Sequence, residues 1–192
     1  MLLDKNTLIF EEFIKDYKTK LTGSFIAKRK KLNQKTVSNI LKKLEKDNIL
    51  KSTKQGRNKL YFLNLENTEI IKKFITSVES QRTIIFYNKN PIIKEIINKI
   101  YNHIEGIIII FGSYANNSQK TDSDLDVLII GKTKDNEIEK IADTYNIEIN
   151  LKIYPKLNKK DHLINEVIKN HIIIKGTEEF INNIIKLENE ED

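Results

Sequence analysis

The sequence predicts an α+β protein, in the broad α/β class. An N-terminal winged helix-turn-helix domain is expected ahead of a small mixed-sheet domain with C-terminal helices. Three observations among its 192 residues lead to this fold. The first 65 residues carry three helical periodicities followed by a hairpin pattern. An uninterrupted run of β-branched residues from Ile107 to Ile110 is typical of a strand buried on both faces. Charge is also distributed unequally along the chain.

The N-terminal elements follow from apolar spacing and turn residues. Apolar positions between residues 9 and 17 predict a first helix, and Thr22-Gly23-Ser24 supplies a cap and break before a short second helix. Asn33 is placed to cap a third helix with an i, i+3, i+4, i+7 apolar stripe. Two strands, near residues 49–53 and 59–63, are then joined through a turn at Gly56. This order of elements is that of a winged helix-turn-helix.

A second pattern begins at residue 67. A linking helix is predicted over residues 70–78, with an extension towards 84–87, and Asn90-Pro91 begins another helix. Strands are predicted at 106–111, 125–130 and 147–153, with a helix near 136–145 between the last two. Two helices, near 161–169 and from Thr177, precede an acidic tail at 188–192 that is expected to fray. The predicted domains are therefore 1–65, linking helices at 66–104, and 105–192.

The charge pattern predicts a partner for the first domain. The formal net charge is +6, but residues 1–65 hold 16 basic and 6 acidic residues, whereas the remainder holds 17 and 21. A module with a local charge of +10 is suited to a polyanion. A solvated lysine-rich face would look similar; the order of elements favours DNA. The expected DNA-contacting residues on the third helix are Lys35, Ser38, Asn39, Lys42 and Lys46, and those on the hairpin are Lys54, Arg57 and Lys59.

The stretch from Ile26 to Leu50 resembles the winged helix of bacterial and archaeal transcription regulators. The resemblance implies DNA binding, although some such helices serve as protein-docking modules, and it implies a homodimer, since regulators of this kind often pair.

Composition excludes several other classes. There is no cysteine, so disulfides, thiolate zinc sites and cysteine nucleophiles are excluded. No apolar run approaches the length of a spanning helix, and the first residues lack the layout of a signal peptide. We therefore expect a cytoplasmic protein without a membrane partner.

Phosphate chemistry is indicated by one short stretch. The predicted buried strand ends in Gly112-Ser113, where glycine lets a ligand approach the backbone and serine with the following amides can hold phosphate. After a spacer of ten residues, a second strand begins Asp124-Leu125-Asp126. Strand alternation points both carboxylates to one side, where they can bind Mg²⁺ together with substrate phosphates. The pattern predicts a nucleotidyl-transfer centre.

This stretch resembles the nucleotidyltransferase superfamily of DNA polymerase beta, and in particular its minimal branch. The resemblance covers about residues 90–155, and the upstream winged helix resembles archaeal fusions of the two domains. It implies that the mixed-sheet domain is a nucleotidyltransferase domain. Gly112 and Ser113 would then bind the triphosphate of a nucleoside triphosphate, with ATP as the expected donor, and Asp124 and Asp126 would hold Mg²⁺.

A third carboxylate on the next strand usually joins this metal pair in the family. Here that strand offers Glu148 and Asn150 on one polar face, whereas the family normally has aspartate. With Glu148 in the position, a longer side chain could still serve as a metal ligand or general base. With Asn150 there, activity would be weak or lost. We favour Glu148 for the position. Asp122 is expected to be a turn or capping residue, with a surrogate acid as the alternative, and His171 is expected to be structural or exposed rather than catalytic.

The leading functional prediction is a Mg²⁺-dependent nucleotidyltransferase fused to a DNA-binding domain. It would move a nucleoside monophosphate to a hydroxyl acceptor, and the resemblance suggests as acceptor a partner toxin of the HEPN class. The alternative is a transcription regulator whose transferase-like domain is weak or inactive, and a nucleic-acid-modifying enzyme is a third option.

Overall fold

The computed structural model describes residues 4–133 and 137–189. Its α+β architecture confirms the predicted fold class. The chain forms two compact units, one from residues 4–78 together with 184–189 and the other from 79–183. These boundaries differ from the predicted ones at residues 65 and 104.

The first unit begins with a helix-turn-helix and hairpin. Its elements are α1 (Lys5–Ile14), β1 (Leu21–Thr22), α2 (Gly23–Lys30), α3 (Gln34–Lys46), β2 (Leu50–Gln55) and β3 (Asn58–Leu63). Thr22 caps α2 by accepting from the Phe25 amide, and Asn33 caps α3 by accepting from the Lys35 and Thr36 amides. Both predicted caps are confirmed. The sheet order is β1-β3-β2, in which the two-residue strand β1 is additional to the predicted elements.

The core of this unit follows the predicted stripes. Phe10, Phe13, Val37 and Leu41 are fully buried, and Phe10 packs edge-on against Phe74 at 4.6 Å between ring centroids.

The second unit is built on a four-stranded sheet. After α4 (Thr68–Lys89), which belongs to both units, it contains α5 (Pro91–Ile100), β4 (Ile104–Ile110), α6 (Gly112–Ala115), β5 (Leu125–Thr133) and α7 (Glu137–Tyr145). β6 (Ile149–Tyr154), α8 (His162–Lys169), β7 (Ile172–Lys175) and α9 (Thr177–Asn189) follow. The sheet order is β6-β5-β4-β7, in which only the β5–β6 pair is parallel.

β4 lies at the centre of the core, as predicted. Its residues from Ile107 to Ile110 are fully buried. One face packs Ile108 and Ile110 against α5 residues such as Ile96 and Ile97. Burial of both faces confirms the interpretation of the β-branched run.

The linking helix includes its predicted extension and is a single 22-residue helix, α4. Two other features differ from the sequence prediction. β7 was missed because four residues are too few to establish a period. The predicted frayed tail begins at Glu188, but Glu188 is a buried residue of α9 that pairs with Lys18 at 3.9 Å. Residues 190–192 lie outside the described residues. Within the described ranges, no helix is long and apolar enough to span a membrane.

Candidate nucleotidyl-transfer site

Gly112 and Asp126 lie in direct contact. β4 ends at Ile110, and the Phe111 amide donates to the Asp126 carbonyl at 3.1 Å, which ties the start of α6 to β5. Gly112 has a φ of +65°, and a Cβ placed on it would lie 2.0 Å from Asp126 Oδ2. Only glycine therefore allows this backbone and carboxylate to occupy their positions.

Asn150 lies on the other side of the same carboxylate. The parallel register aligns Asp126 with Asn150, and Asn150 Nδ2 donates to Asp126 Oδ1 at 2.8 Å. The two oxygens of Asp126 thus face Gly112 and Asn150. Asn150 is therefore the residue of β6 beside Asp126, at the position for which Glu148 is the predicted residue.

Asp124 and Glu148 lie just before their strands and are exposed. They line a cleft of about 1070 Å³ together with Tyr114, Asp122 and apolar residues of α5 and β6. Gly112, Ser113, Asp126 and Asn150 are absent from its lining, so the cleft adjoins the Gly112–Asp126 contact without containing it. In the part of the chain that the structure describes, no three acidic or histidine side chains form a metal-binding group, and Asp124, Asp126 and Glu148 are not brought together as a trio.

The spacer between the two motifs is a compact loop. Ser118 donates its amide to the Ser113 carbonyl at 3.0 Å, and Ser123 Oγ accepts from the Lys120 amide at 2.8 Å. Asp122 is exposed in this loop and lines the cleft. Ser113 follows Gly112 in the four-residue helix α6 and is half-buried.

The basic residues of the first unit are displayed on α3 and the hairpin. Lys35, Asn39, Lys42 and Lys46 are exposed and Ser38 is half-buried, while Lys54, Arg57 and Lys59 are exposed around the turn. Gly56 has a φ of +60° at the first of two loop residues, which suits a tight hairpin.

Among these basic residues, Lys59 forms an ion pair with an acidic side chain, that of Glu45. Its ammonium donates to Glu45 at 2.7 Å, and Ser52 donates to the other oxygen of that carboxylate. The hydrogen bond raises the pKa of Lys59 and lowers that of Glu45. Lys59 is therefore less available to a polyanion than Lys42.

Sequence reasoning missed one buried ionic cluster. Glu79 accepts from Arg82 at 2.7 Å and lies 3.2 Å from His171 Nε2, and both Glu79 and His171 are buried. Nδ1 of His171 faces the carbonyls of Val167 and Ile168, so the ring is held by polar groups on both sides. Helical spacing alone gives no sign that Glu79 is buried; the nearby Arg82 at i+3 was the available signal.

Two families match the chain. The family described as nucleotidyltransferase domain matches residues 91–187, and the one described as penicillinase repressor matches residues 20–99. A solved structure described as the crystal structure of the toxin-antitoxin with AMP-PNP is 22% identical, and the similarity covers 54% of this chain and 88% of that one with a TM-score of 0.36. No protein with a curated description matches.

The first match covers just over half of the chain and includes Gly112, Ser113, Asp124 and Asp126. The second covers α3 and the hairpin, and with them every residue predicted to contact DNA. The chain therefore belongs to the nucleotidyltransferase domain family and carries a repressor-like winged helix ahead of that domain.

Proposed function

We propose that the second unit transfers a nucleoside monophosphate from a nucleoside triphosphate to a hydroxyl acceptor and that the winged helix binds DNA. The observation that carries the proposal is the contact of the Asp126 carboxylate on β5 with Gly112 at the end of the neighbouring strand β4, beside the exposed Asp124. This contact joins the phosphate-binding and acidic motifs in one place.

The donor set fits a hard divalent cation. Asp124 and Asp126 would hold Mg²⁺, which completes its shell with substrate phosphates and would neutralise charge on the triphosphate. The acceptor oxygen bonds to the α-phosphorus, the bond to the bridging oxygen of the β-phosphate breaks, and pyrophosphate leaves. The hydroxyl proton passes to a base. Glu148, exposed at the rim of the cleft, is our candidate for that base.

The acceptor is proposed as a hydroxyl on a partner protein. A HEPN-class toxin is the acceptor that the resemblance suggests, and ATP is the expected donor. Binding of the chain to its own promoter would then complement the modification.

Transfer is tested with α-labelled ATP, Mg²⁺ and candidate acceptors, and the expected result is labelled acceptor and free pyrophosphate. The double variant Asp124→Ala/Asp126→Ala should lose transfer and metal-dependent nucleotide binding together, because it removes both carboxylates that would hold Mg²⁺. The double variant Glu178→Ala/Glu179→Ala removes two exposed carboxylates from the first turn of α9, outside the cleft, and is the matched control that should leave nucleotide binding unchanged. Transfer that survives in the double variant would contradict the proposed site.

A second candidate function is a transcription regulator whose nucleotidyltransferase domain binds nucleotide without transfer. It is favoured by the hydrogen bond from Asn150 to Asp126, because an amide there supplies neither negative charge nor a base. In this case we expect Asn150→Asp to create or raise transfer activity, with Glu148→Gln without effect. If Glu148 is the base, Glu148→Gln should instead abolish transfer in the wild-type background.

DNA binding is tested with Lys42→Ala on α3. Because Lys42 is exposed on the face opposite the apolar stripe, its removal should weaken binding to all DNA sequences and reduce the salt slope by about one. Lys59→Ala should have a smaller effect, since Glu45 already holds that ammonium. The exposed Lys156, outside the first unit, provides the control Lys156→Ala. Binding that is independent of salt would make the winged helix a docking module.

A further inference from the structure

The two edges of the sheet in the second unit are treated differently. At the β7 edge, the carbonyl of His171 accepts from Arg82 at 2.7 Å and that of Ile173 accepts from Thr83 at 2.7 Å. β7 also has only four residues, and its register with β4 is broken between Ile108 and Ile109. Short strands, irregular register and occupied carbonyls all hinder the addition of another strand. The β7 edge is therefore protected.

The β6 edge has none of these protections. Its six residues pair in continuous register with β5, and the Leu125 amide donates to the Glu148 carbonyl at 2.8 Å. In a parallel ladder with this bond, residues 148, 150 and 152 bond to β5, so the amides and carbonyls of Ile149, Leu151 and Ile153 point away from it. Among residues 4–133 and 137–189, none of these outward groups has a hydrogen-bond partner. Ile153 is in addition 48% exposed.

We propose that β6 pairs antiparallel with β6 of a second copy of this chain, which joins two four-stranded sheets into one of eight strands. With Leu151 on the two-fold axis, Leu151 opposes itself and Ile149 opposes Ile153 of the other copy. Each outward-pointing backbone group then belongs to a hydrogen-bonded pair, and every cross-strand side-chain pair on that face is apolar. This register uses the strand bounds of β6 without extension.

The charges on the polar face of β6 favour a second copy of this chain as the partner at the β6 edge. Glu148 and Lys152 share this face and are both exposed, and within the described residues neither has an ion-pair partner. In the antiparallel pair, Glu148 of one copy becomes the diagonal neighbour of Lys152 of the other, twice by symmetry. Lys152 lies directly opposite the neutral Asn150, so no like charges face each other. The edge is its own electrostatic complement, as an isologous interface requires.

The pairing is tested by the mass of the full-length protein in sedimentation equilibrium or light scattering, with dimer as the expected result. Lys152→Glu and Glu148→Lys should each weaken the dimer about tenfold, because both symmetry-related pairs become repulsive. The double variant Glu148→Lys/Lys152→Glu should restore wild-type affinity. Lys156→Glu, an exposed reversal beyond the end of β6, is the matched control and should have no effect. A monomeric wild type, or failure of the double variant to restore the dimer, overturns the proposal.

The variant Ile153→Pro tests whether the dimer forms through the β6 edge or through another surface. The Ile153 amide points away from β5, so proline there removes no hydrogen bond of the sheet and blocks only an added strand. The variant should be monomeric with an unchanged circular dichroism spectrum. A dimer that persists in this folded variant would place the interface elsewhere and overturn the proposal. Neither measurement depends on transferase activity, so its outcome is separate from that of the proposed function.

Discussion

Replacing Gly112 by alanine is expected to lower nucleotidyl transfer by at least about 100-fold, because the carboxylate of Asp126 must move. The added Cβ would lie 2.0 Å from Asp126 Oδ2 and 2.9 Å from its Cγ, far inside van der Waals contact. Displacement of this carboxylate breaks its hydrogen bond with Asn150 and separates it from Asp124. Two measurements should fall together in this variant. One is the transfer of label from α-labelled ATP, and the other is the affinity for Mn²⁺, measured by calorimetry as a probe of the metal site.

Gly56→Ala is the matched control for this variant. Gly56 has a φ of +60°, close to the +65° of Gly112, but nothing lies within 4 Å of a Cβ placed on it. Both substitutions therefore incur a left-handed backbone cost of about 1–2 kcal/mol, and only Gly112→Ala places a Cβ against the Asp126 carboxylate. Metal affinity that is unchanged in Gly112→Ala would contradict the proposed role of the contact.

Replacing Glu79 by glutamine is expected to reduce the free energy of unfolding by about 3–5 kcal/mol at neutral pH. Burial acts to raise the pKa of Glu79, but the charges of Arg82 and then of His171 outweigh it and hold the pKa below its ordinary value of 4.5. The neutral amide removes the buried negative charge that lies 2.7 Å from Arg82, whose side chain is only 13% exposed. Urea denaturation of the two proteins measures the difference.

The Glu79 carboxylate also makes the free energy of unfolding depend on pH. Because its folded-state pKa is lowered, the unfolded chain binds the proton more readily, and the contribution of Glu79 is complete above pH 4.5. It is lost as the pH falls through the folded pKa, so the difference between wild type and Glu79→Gln should shrink below pH 4.5.

Glu66→Gln is the control for an exposed ion pair. Glu66 also contacts a lysine, Lys51, but the Glu66 side chain is 84% exposed. We therefore expect Glu66→Gln to reduce the free energy of unfolding by less than about 1 kcal/mol at any pH. An equal effect of the two substitutions would contradict the importance that we assign to burial at Glu79.

Local signals in the sequence predicted the helices and the central strand well. Thr22 and Asn33 were recognised as caps because their side chains can accept from amides two or three residues ahead, and Pro91 marked a helix start because it needs no amide partner there. The central strand was recognised because burial on both faces removes polar residues from its sequence. Each of these signals lies within a few residues of the feature it predicts.

Pairing between strands could not be predicted in this way. Alternation puts Glu148 and Asn150 on one face of β6, and only the register with β5 decides that Asn150 contacts Asp126. A parallel pair is joined through a long crossover, so no turn fixes its register. The Glu79–His171 contact likewise joins residues 92 positions apart, and neither residue has a local pattern that identifies its partner.

The sharing of α4 and α9 between the two units affects how the protein can be dissected. Residues 68–78 and 79–89 of one continuous helix belong to different units, and residues 184–189 return to the first. A gene fragment that ends at residue 65 would therefore omit part of the first unit, including Ile71 and Ile75, which are fully buried. It would also leave Lys18 without Glu188. The first unit is thus assembled from two segments, residues 4–78 and 184–189, and it can be completed during synthesis only after α9 has left the ribosome.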